Sequence, residues 1–268
     1  MRPNLFWRTK GFVARRTRGL VHRVIGDRFV LYQTGHCSIC MKNAVFFSRD
    51  SWLRDNLRCL LCNTIPRQRA IMKVIEELYP NWRNQRIHES SPSPGGASGV
   101  LNRECKNYIG SQYFMNEPFG KTFNDFRNED LEHQTFDDAS FDIVVTQDVF
   151  EHIYHPKPAF REISRTLAPG GSHIFTVPLI NHHMPTEVWA TQNSDGSPNF
   201  LKEPEWHENP VSKSGSPVTM HWGMDIGEFI ERETGDKTEI LYQYRPESGI
   251  MGEFCEVLVT RKAGVSVA

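Results

Sequence analysis

The sequence predicts an α/β protein with a buried, mostly parallel sheet, and three observations along one stretch predict it. Ile143, Val144 and Val145 form a β-branched apolar run between Asp142 and the polar burst Thr146-Gln147-Asp148, which suits a strand buried on both faces. After Pro156 and Pro158, the apolar residues Phe160, Ile163 and Leu167 recur at helical spacing, and Pro169-Gly170-Gly171 stops that helix. A second buried run, Ile174-Phe175-Thr176-Val177, follows. Strand, helix, turn and strand in that order make the repeating unit of an α/β sheet, in which chemistry gathers where parallel strands end.

Composition sets the outer bounds. The 268 residues suffice for one full α/β domain plus a small module. With 31 basic and 32 acidic residues the net charge is -1, so global charge does not point to nucleic acid. Aromatics at 11% place the chain among globular proteins. No apolar run is long enough for a transmembrane helix, and the N-terminus lacks the apolar core of a secretory signal. Four of the six cysteines fall in two Cys-x-x-Cys pairs, which fits metal binding in a reducing compartment better than disulfides; the expected location is cytoplasmic.

The central stretch also carries a resemblance. Phe-Asp-Ile-Val-Val from Phe141, then Glu151-His152, then Phe-Arg-Glu-Ile-Ser-Arg-Thr-Leu-Ala-Pro-Gly-Gly from Phe160, resembles the class I S-adenosylmethionine-dependent methyltransferases, nearest to the small-molecule type 11 group. The resemblance covers about residues 84–261. It implies a Rossmann-like, seven-stranded, doubly wound sheet and S-adenosyl-L-methionine as cofactor. The expected organisation is a basic segment over 1–34, a zinc-ribbon-like module with a bridging helix over 35–80, and a methyltransferase domain over 81–262.

The segment 1–34 sets Arg2, Arg8, Lys10, Arg15, Arg16, Arg18, Arg23 and Arg28 against Asp27 alone, with Leu20, Val21, Val24 and Ile25 at helical spacing. Four readings fit it: a solvated helix on its own domain, peripheral contact with an anionic membrane, contact with a polyanionic substrate, or a targeting peptide. Next, Cys37, Cys40, Cys59 and Cys62 match the spacing of a four-thiolate zinc site, closed and therefore structural. Pro66 opens a helix to about Leu78, with Ile71, Val74, Ile75 and Leu78 on one face. Arg67 and Arg69 on its first turn are expected at the surface, with reach toward the active site as the alternative.

Further site residues follow from the resemblance. The first strand of the domain ends at Glu89, the acid that would engage the methionine amino group. The turn after it carries Ser91, Ser93 and Gly95 where the family has three glycines, and only Gly95 matches. Gln112 stands at the end of the second strand, where the family carries a ribose-binding acid. Asp130 and Leu131 match the acid-plus-apolar pair near the adenine. Gln147 and Asp148 would border the methionine end, and Glu151 and His152 would face the substrate, with His152 suited to act as general base on a hydroxyl. A structural histidine is the alternative there.

The stretch 178–223 reads as a long irregular insertion rich in His and Trp that covers the substrate, suiting a polar ring such as a sugar. His183, His207 and His221 within it also raise the alternative of a second metal. A helix over Met224–Thr234 and two closing strands complete the domain, with Cys255 a buried core thiol. The function expected is methyl transfer to a small-molecule or glycan-type hydroxyl. The rivals are an RNA methyltransferase using the ribbon for RNA contact, and a non-catalytic binding protein, which the departures at Ser91, Ser93 and Gln112 motivate.

Overall fold

A computed structural model describes residues 31–209 and 215–264. The basic segment therefore lies, but for its last four residues, outside the described residues. The first unit is a three-stranded antiparallel ribbon of β1 (Leu31–Cys37), β2 (Lys42–Ser48) and β3 (Arg58–Cys59), with the short helix α1 (Leu53–Asn56) before β3. Helix α2 (Pro66–Leu78) follows with proline in its first turn, and Gln68 Oε1 accepts the Ile65 backbone N–H at 3.3 Å. Its buried face, Ala70, Ile71, Val74 and Ile75, is the apolar stripe read from the sequence.

The main sheet is built from β4 (Arg86–Ser90), β5 (Asn107–Gln112), β6 (Thr122–Phe123), β7 (Phe126–Asn128), β8 (Phe141–Gln147) and β9 (Leu167–Thr176), with α3 (Gly96–Glu104) after β4 and α4 (Pro156–Thr166) after β8. The insertion contributes β10 (Glu187–Val188), β11 (Ala190–Gln192), β12 (Pro198–Phe200), β13 (Trp206–His207), β14 (Ser216–Pro217) and β15 (Met220–His221). Helix α5 (Ile226–Thr234), β16 (Lys237–Leu241) and β17 (Val257–Arg261) end the described chain.

Sheet order is β16-β17-β9-β8-β4-β5-β7-β6. The five central strands are parallel, and β17 runs antiparallel to both neighbours. The order reverses at β4, the switch point of a doubly wound sheet, where open α/β sheets bind ligands. Seven strands were expected and eight are present: β6 pairs antiparallel with β7 over two residues, too short a run to read from pattern. Leu167, expected on the helix, instead opens β9 opposite Phe141, and the register shifts between Phe141 and Ile143. The bulge is made by Pro169-Gly170-Gly171, with Gly170 at φ +79°, a conformation that favours glycine.

Two further expectations change. The 178–223 stretch is not structureless: β10–β15, β11–β12 and β13–β14 form three small antiparallel ladders. Trp222 inside it is fully buried and donates its indole N–H to Phe150 O at 3.1 Å. Arg69 is also fully buried, where a surface role was expected. It donates to Leu57 O and Gly249 O, each at 2.7 Å, and lies over the Phe46 ring, so its charge is met by carbonyl dipoles and a π face.

One hydrophobic cluster runs from Phe46 and Leu57 in the ribbon through Ile71 and Val74 to Ile87, Ile143, Ile174 and Val257 of the sheet. A Cβ at Gly35 would strike Glu247, and one at Gly249 would strike the Phe46 ring, so ribbon and closing turn touch backbone to ring. Among the described residues, no helix is long and apolar enough to cross a membrane.

Candidate active site

The carboxyl ends of β4 and β8 lie side by side, with Glu89 opposite Val145 and Ser90 opposite Thr146. Glu89 is fully buried, and its carboxylate accepts from Ser98 at 2.7 Å, Gln147 Nε2 at 2.7 Å and Tyr108 OH at 2.9 Å. Burial raises its carboxyl above the ordinary value, and these three donors pull it back. Two expected cofactor neighbours, Glu89 and Gln147, thus meet in one network, joined by Ser98 of α3, which the sequence reading did not single out.

The turn after β4 departs from the glycine-rich pattern that the resemblance implies. Ser91 holds φ +54°, the left-handed conformation that the family's glycine would supply. Its N–H donates to Ser111 O at 2.8 Å, which anchors the strained residue. Ser93 Oγ donates to Gly95 O at 3.0 Å. Gly95 itself is extended at φ -143°, with nothing within 4 Å of where a Cβ would stand. The glycine that geometry demands is Gly96, at φ +62° and packed against the Gln68 side chain. Gln112 is buried at the end of β5, its Nε2 3.5 Å from Pro92 O. Asp130 accepts the Glu132 N–H at 2.9 Å, while Leu131 is buried in the cluster of Phe136, Phe141 and Val144.

Beyond Gln147 the chain turns sharply. Asp148 holds φ +52°, and its N–H donates to Thr176 O at 2.9 Å. Its carboxylate accepts from Arg54 at 2.7 Å, from Thr176 Oγ1 at 2.8 Å and from Arg67. Burial alone would lift this carboxyl, yet the two guanidiniums hold it well below the ordinary 3.8. Arg54 and Arg67 come from α1 and α2, so the ribbon side of the molecule reaches into the end of β8. Arg67 reaches the site rather than the surface, and Arg54 carries no local sequence signal, since its role depends on a partner 94 residues away.

Three residues on, Glu151 is 3% exposed and its Oε2 has no hydrogen-bond partner. Burial, then the Asp148 charge, pushes its carboxyl up to about 8. His152 Nδ1 lies 2.8 Å from Pro217 O of β14 and therefore carries the hydrogen, which leaves Nε2 with the lone pair. Burial lowers its pKa, which favours the neutral ring. Of the insertion histidines, His207 stands edge-on to His152 at 5.0 Å between ring centroids. His221 stacks on Trp189 at 3.7 Å and meets Glu205 at 2.9 Å. Glu205 Oε1 is also 3.2 Å from His207 Nε2.

In the ribbon, the sulfurs of Cys37, Cys40, Cys59 and Cys62 all lie within 4.8 Å of one another, with Cys37 and Cys62 at 3.7 Å. Zinc–sulfur bonds of about 2.3 Å in a tetrahedron place sulfurs about 3.8 Å apart, so the donor set fits that ion. Burial, then Cys37, pushes the Cys40 thiol up to about 12.

Residues 101–175 match the family model of a methyltransferase domain. No curated protein matches the chain in sequence. Solved structures similar to it include an S-adenosylmethionine dependent methyltransferase from Mesorhizobium loti, 14% identical with a TM-score of 0.47, over 72% of this chain and 97% of that one. A SAM-dependent methyltransferase from Methanosarcina mazei is 15% identical with a TM-score of 0.41, over 70% and 97% respectively. Phosphoethanolamine N-methyltransferase 2 from Haemonchus contortus, in complex with S-adenosyl-L-methionine, is 13% identical with a TM-score of 0.41, over 72% and 52%. The family match supports S-adenosylmethionine-dependent methyl transfer as the activity of the chain.

Proposed function

We propose that this methyltransferase acts on a hydroxyl of a small-molecule or glycan-type acceptor, and that its ribbon holds a structural zinc. The observation that carries the acceptor reading is the oriented His152 just beyond β8, 18% exposed and held by Pro217 of the insertion, with its Nε2 lone pair free. A hydroxyl needs its proton removed as it attacks, whereas a thiolate or carbanion arrives without one. S-adenosyl-L-methionine supplies an electrophilic methyl on a sulfonium. Held in line with that methyl, the acceptor oxygen would form the C–O bond as the C–S bond breaks to a thioether, and the hydroxyl proton would pass to a base.

The residues fit the cofactor. Ser91 already adopts the glycine-like backbone, and the open face at Gly95 lies at the N-terminus of α3, where a ligand can approach the chain closely. Glu89 and Gln147 border that space from the strand side and Gln112 through Pro92 from the next strand, and we assign Asp130 and Leu131 to the adenine as the resemblance implies. Aligning the acceptor with the methyl supplies much of the rate in such a displacement. The insertion, whose described residues form three short ladders with Trp206 and His207 on β13, is assigned to cover the acceptor.

S-adenosylhomocysteine tests the cofactor claim. A ligand at about 100 times its Kd stabilises the folded state by about 2.7 kcal/mol, several degrees in melting temperature for a chain of this size. No shift at millimolar ligand refutes the reading.

A further inference from the structure

We infer that Glu151, His152 and His207 form a divalent-cation site that holds the acceptor oxygen, an inference that rests on the hydroxyl reading above and deepens it. One carboxylate oxygen and one nitrogen from each ring lie within 4.8 Å of one another, and Glu151 Oε1 is 4.0 Å from His152 Nε2. Bonds of about 2.0–2.2 Å to one cation span up to about 4.2 Å between donors, so a small closure completes the set. One carboxylate and two imidazoles leave positions open, as a catalytic rather than a structural site does.

Three independent features point to a ligand. Glu151 Oε2 is buried with no partner, which is costly for an isolated carboxyl and is relieved by a cation. His152 gives its other N–H to the Pro217 carbonyl, the outer-shell bond that orients a metal-binding imidazole. His207 is backed in the same way by the Glu205 carboxylate, at 3.2 Å from its Nε2, which leaves Nδ1 with the lone pair. Both supports come from the insertion: Glu205 directly precedes β13, which carries His207, and β14 carries Pro217. A Cβ at Gly215, which has φ +78°, would press on His207 O, so the hairpin requires glycine to seat that histidine. Asp148 is nearby but is committed to Arg54, Arg67 and Thr176, so it contributes field and not a bond.

A cation in this place would lower the pKa of a bound hydroxyl, so that its proton leaves to solvent while the oxygen is fixed for in-line attack. With its Nε2 lone pair on the cation, His152 would position the acceptor oxygen instead of taking its proton, so the cation replaces His152 as the means of deprotonation in the hydroxyl reading.

Manganese(II) is the probe, because a four-thiolate site disfavours it relative to zinc while carboxylate and imidazole accept it. Free manganese is followed by electron paramagnetic resonance during titration of the full chain, with zinc content and S-adenosylhomocysteine binding measured on the same samples. The wild type is expected to take up one equivalent, and His207→Ala and the isosteric Glu151→Gln are each expected to bind at least about tenfold more weakly while still binding S-adenosylhomocysteine. Failure of the wild type to bind manganese at millimolar concentration overturns the inference, as does unchanged affinity in both variants. S-adenosylhomocysteine binding without manganese binding removes the cation site and leaves the methyltransferase reading standing. Manganese binding without S-adenosylhomocysteine binding supports the site and sinks the other.

Discussion

Replacing Arg54 by methionine tests whether the ribbon side and the end of β8 are energetically one. Arg54 is 6% exposed and Asp148 13% exposed in their side chains, with 2.7 Å between them. Breaking a buried ion pair outright costs about 3–5 kcal/mol, because the remaining charge loses its partner. Here Arg67 stays on the same carboxylate oxygen, so about half of that loss, about 2 kcal/mol, is expected. For a chain of this size that is a drop of about 4–8 °C in melting temperature. The matching assay is a double-mutant cycle in urea with Arg54→Met and Asp148→Asn. Coupling of about 1 kcal/mol or more is expected, and additivity within about 0.5 kcal/mol refutes the reasoning. The pH dependence has a definite sign. The folded Asp148 pKa is depressed, so its contribution is present above the unfolded value of 3.8 and is lost as pH falls through the folded value. The stability gap between wild type and Asp148→Asn should therefore hold at pH 6 and close in strong acid.

Two further outcomes follow from the same structure. Cys37→Ser should abolish stoichiometric zinc and destabilise the ribbon by several kcal/mol, given that structural zinc contributes on the order of 10 kcal/mol to such modules; full zinc retention by elemental analysis counts against the four-thiolate site. His88 and His173 are fully buried, and burial lowers each pKa from 6.5 to about 3. Their neutral forms stabilise the fold fully above about pH 6.5, and each forfeits about 1.4 kcal/mol per pH unit below it. Unfolding free energies from urea titrations at pH 7 and pH 5 should differ by about 2 kcal/mol per histidine, while imidazole resonances that titrate near 6.5 in the folded protein rule this out.

The parallel centre of the sheet was legible because a strand buried on both faces must be apolar at every position, as Ile143-Val144-Val145 is. The four cysteines were legible because the spacing of a knuckle is local. Glu89 and Gln147 were placed by resemblance, and their hydrogen bond could not be seen in a linear pattern. The glycine turn misled in one respect: the family pattern pointed to Gly95, while the backbone needs glycine at Gly96 because Gln68 of α2 packs there. Arg54, Arg67 and Arg69 were opaque for one reason. A buried arginine differs from an exposed one only in its partners, and these lie far along the chain. The ladders of the insertion are two or three residues long, below the length at which alternation can be recognised. His207 was weighed with His183 and His221 for a metal, but its neighbours prove to be Glu151 and His152 from β8's end.

The continuous apolar interior from Phe46 to Val257 bears on how this enzyme can be inherited and rearranged. A ribbon that meets its catalytic sheet through water or a tether can be shuffled between genes as a cassette. This one gives up Phe46, Leu57 and the whole inner face of α2 to a common interior, so excising it would leave Ile87, Ile143 and Val257 facing solvent. Ribbon and sheet must then melt in one transition and drift in sequence together, and substitutions at Gly35 or Gly249 should be met by compensating changes on the opposite side of that seam.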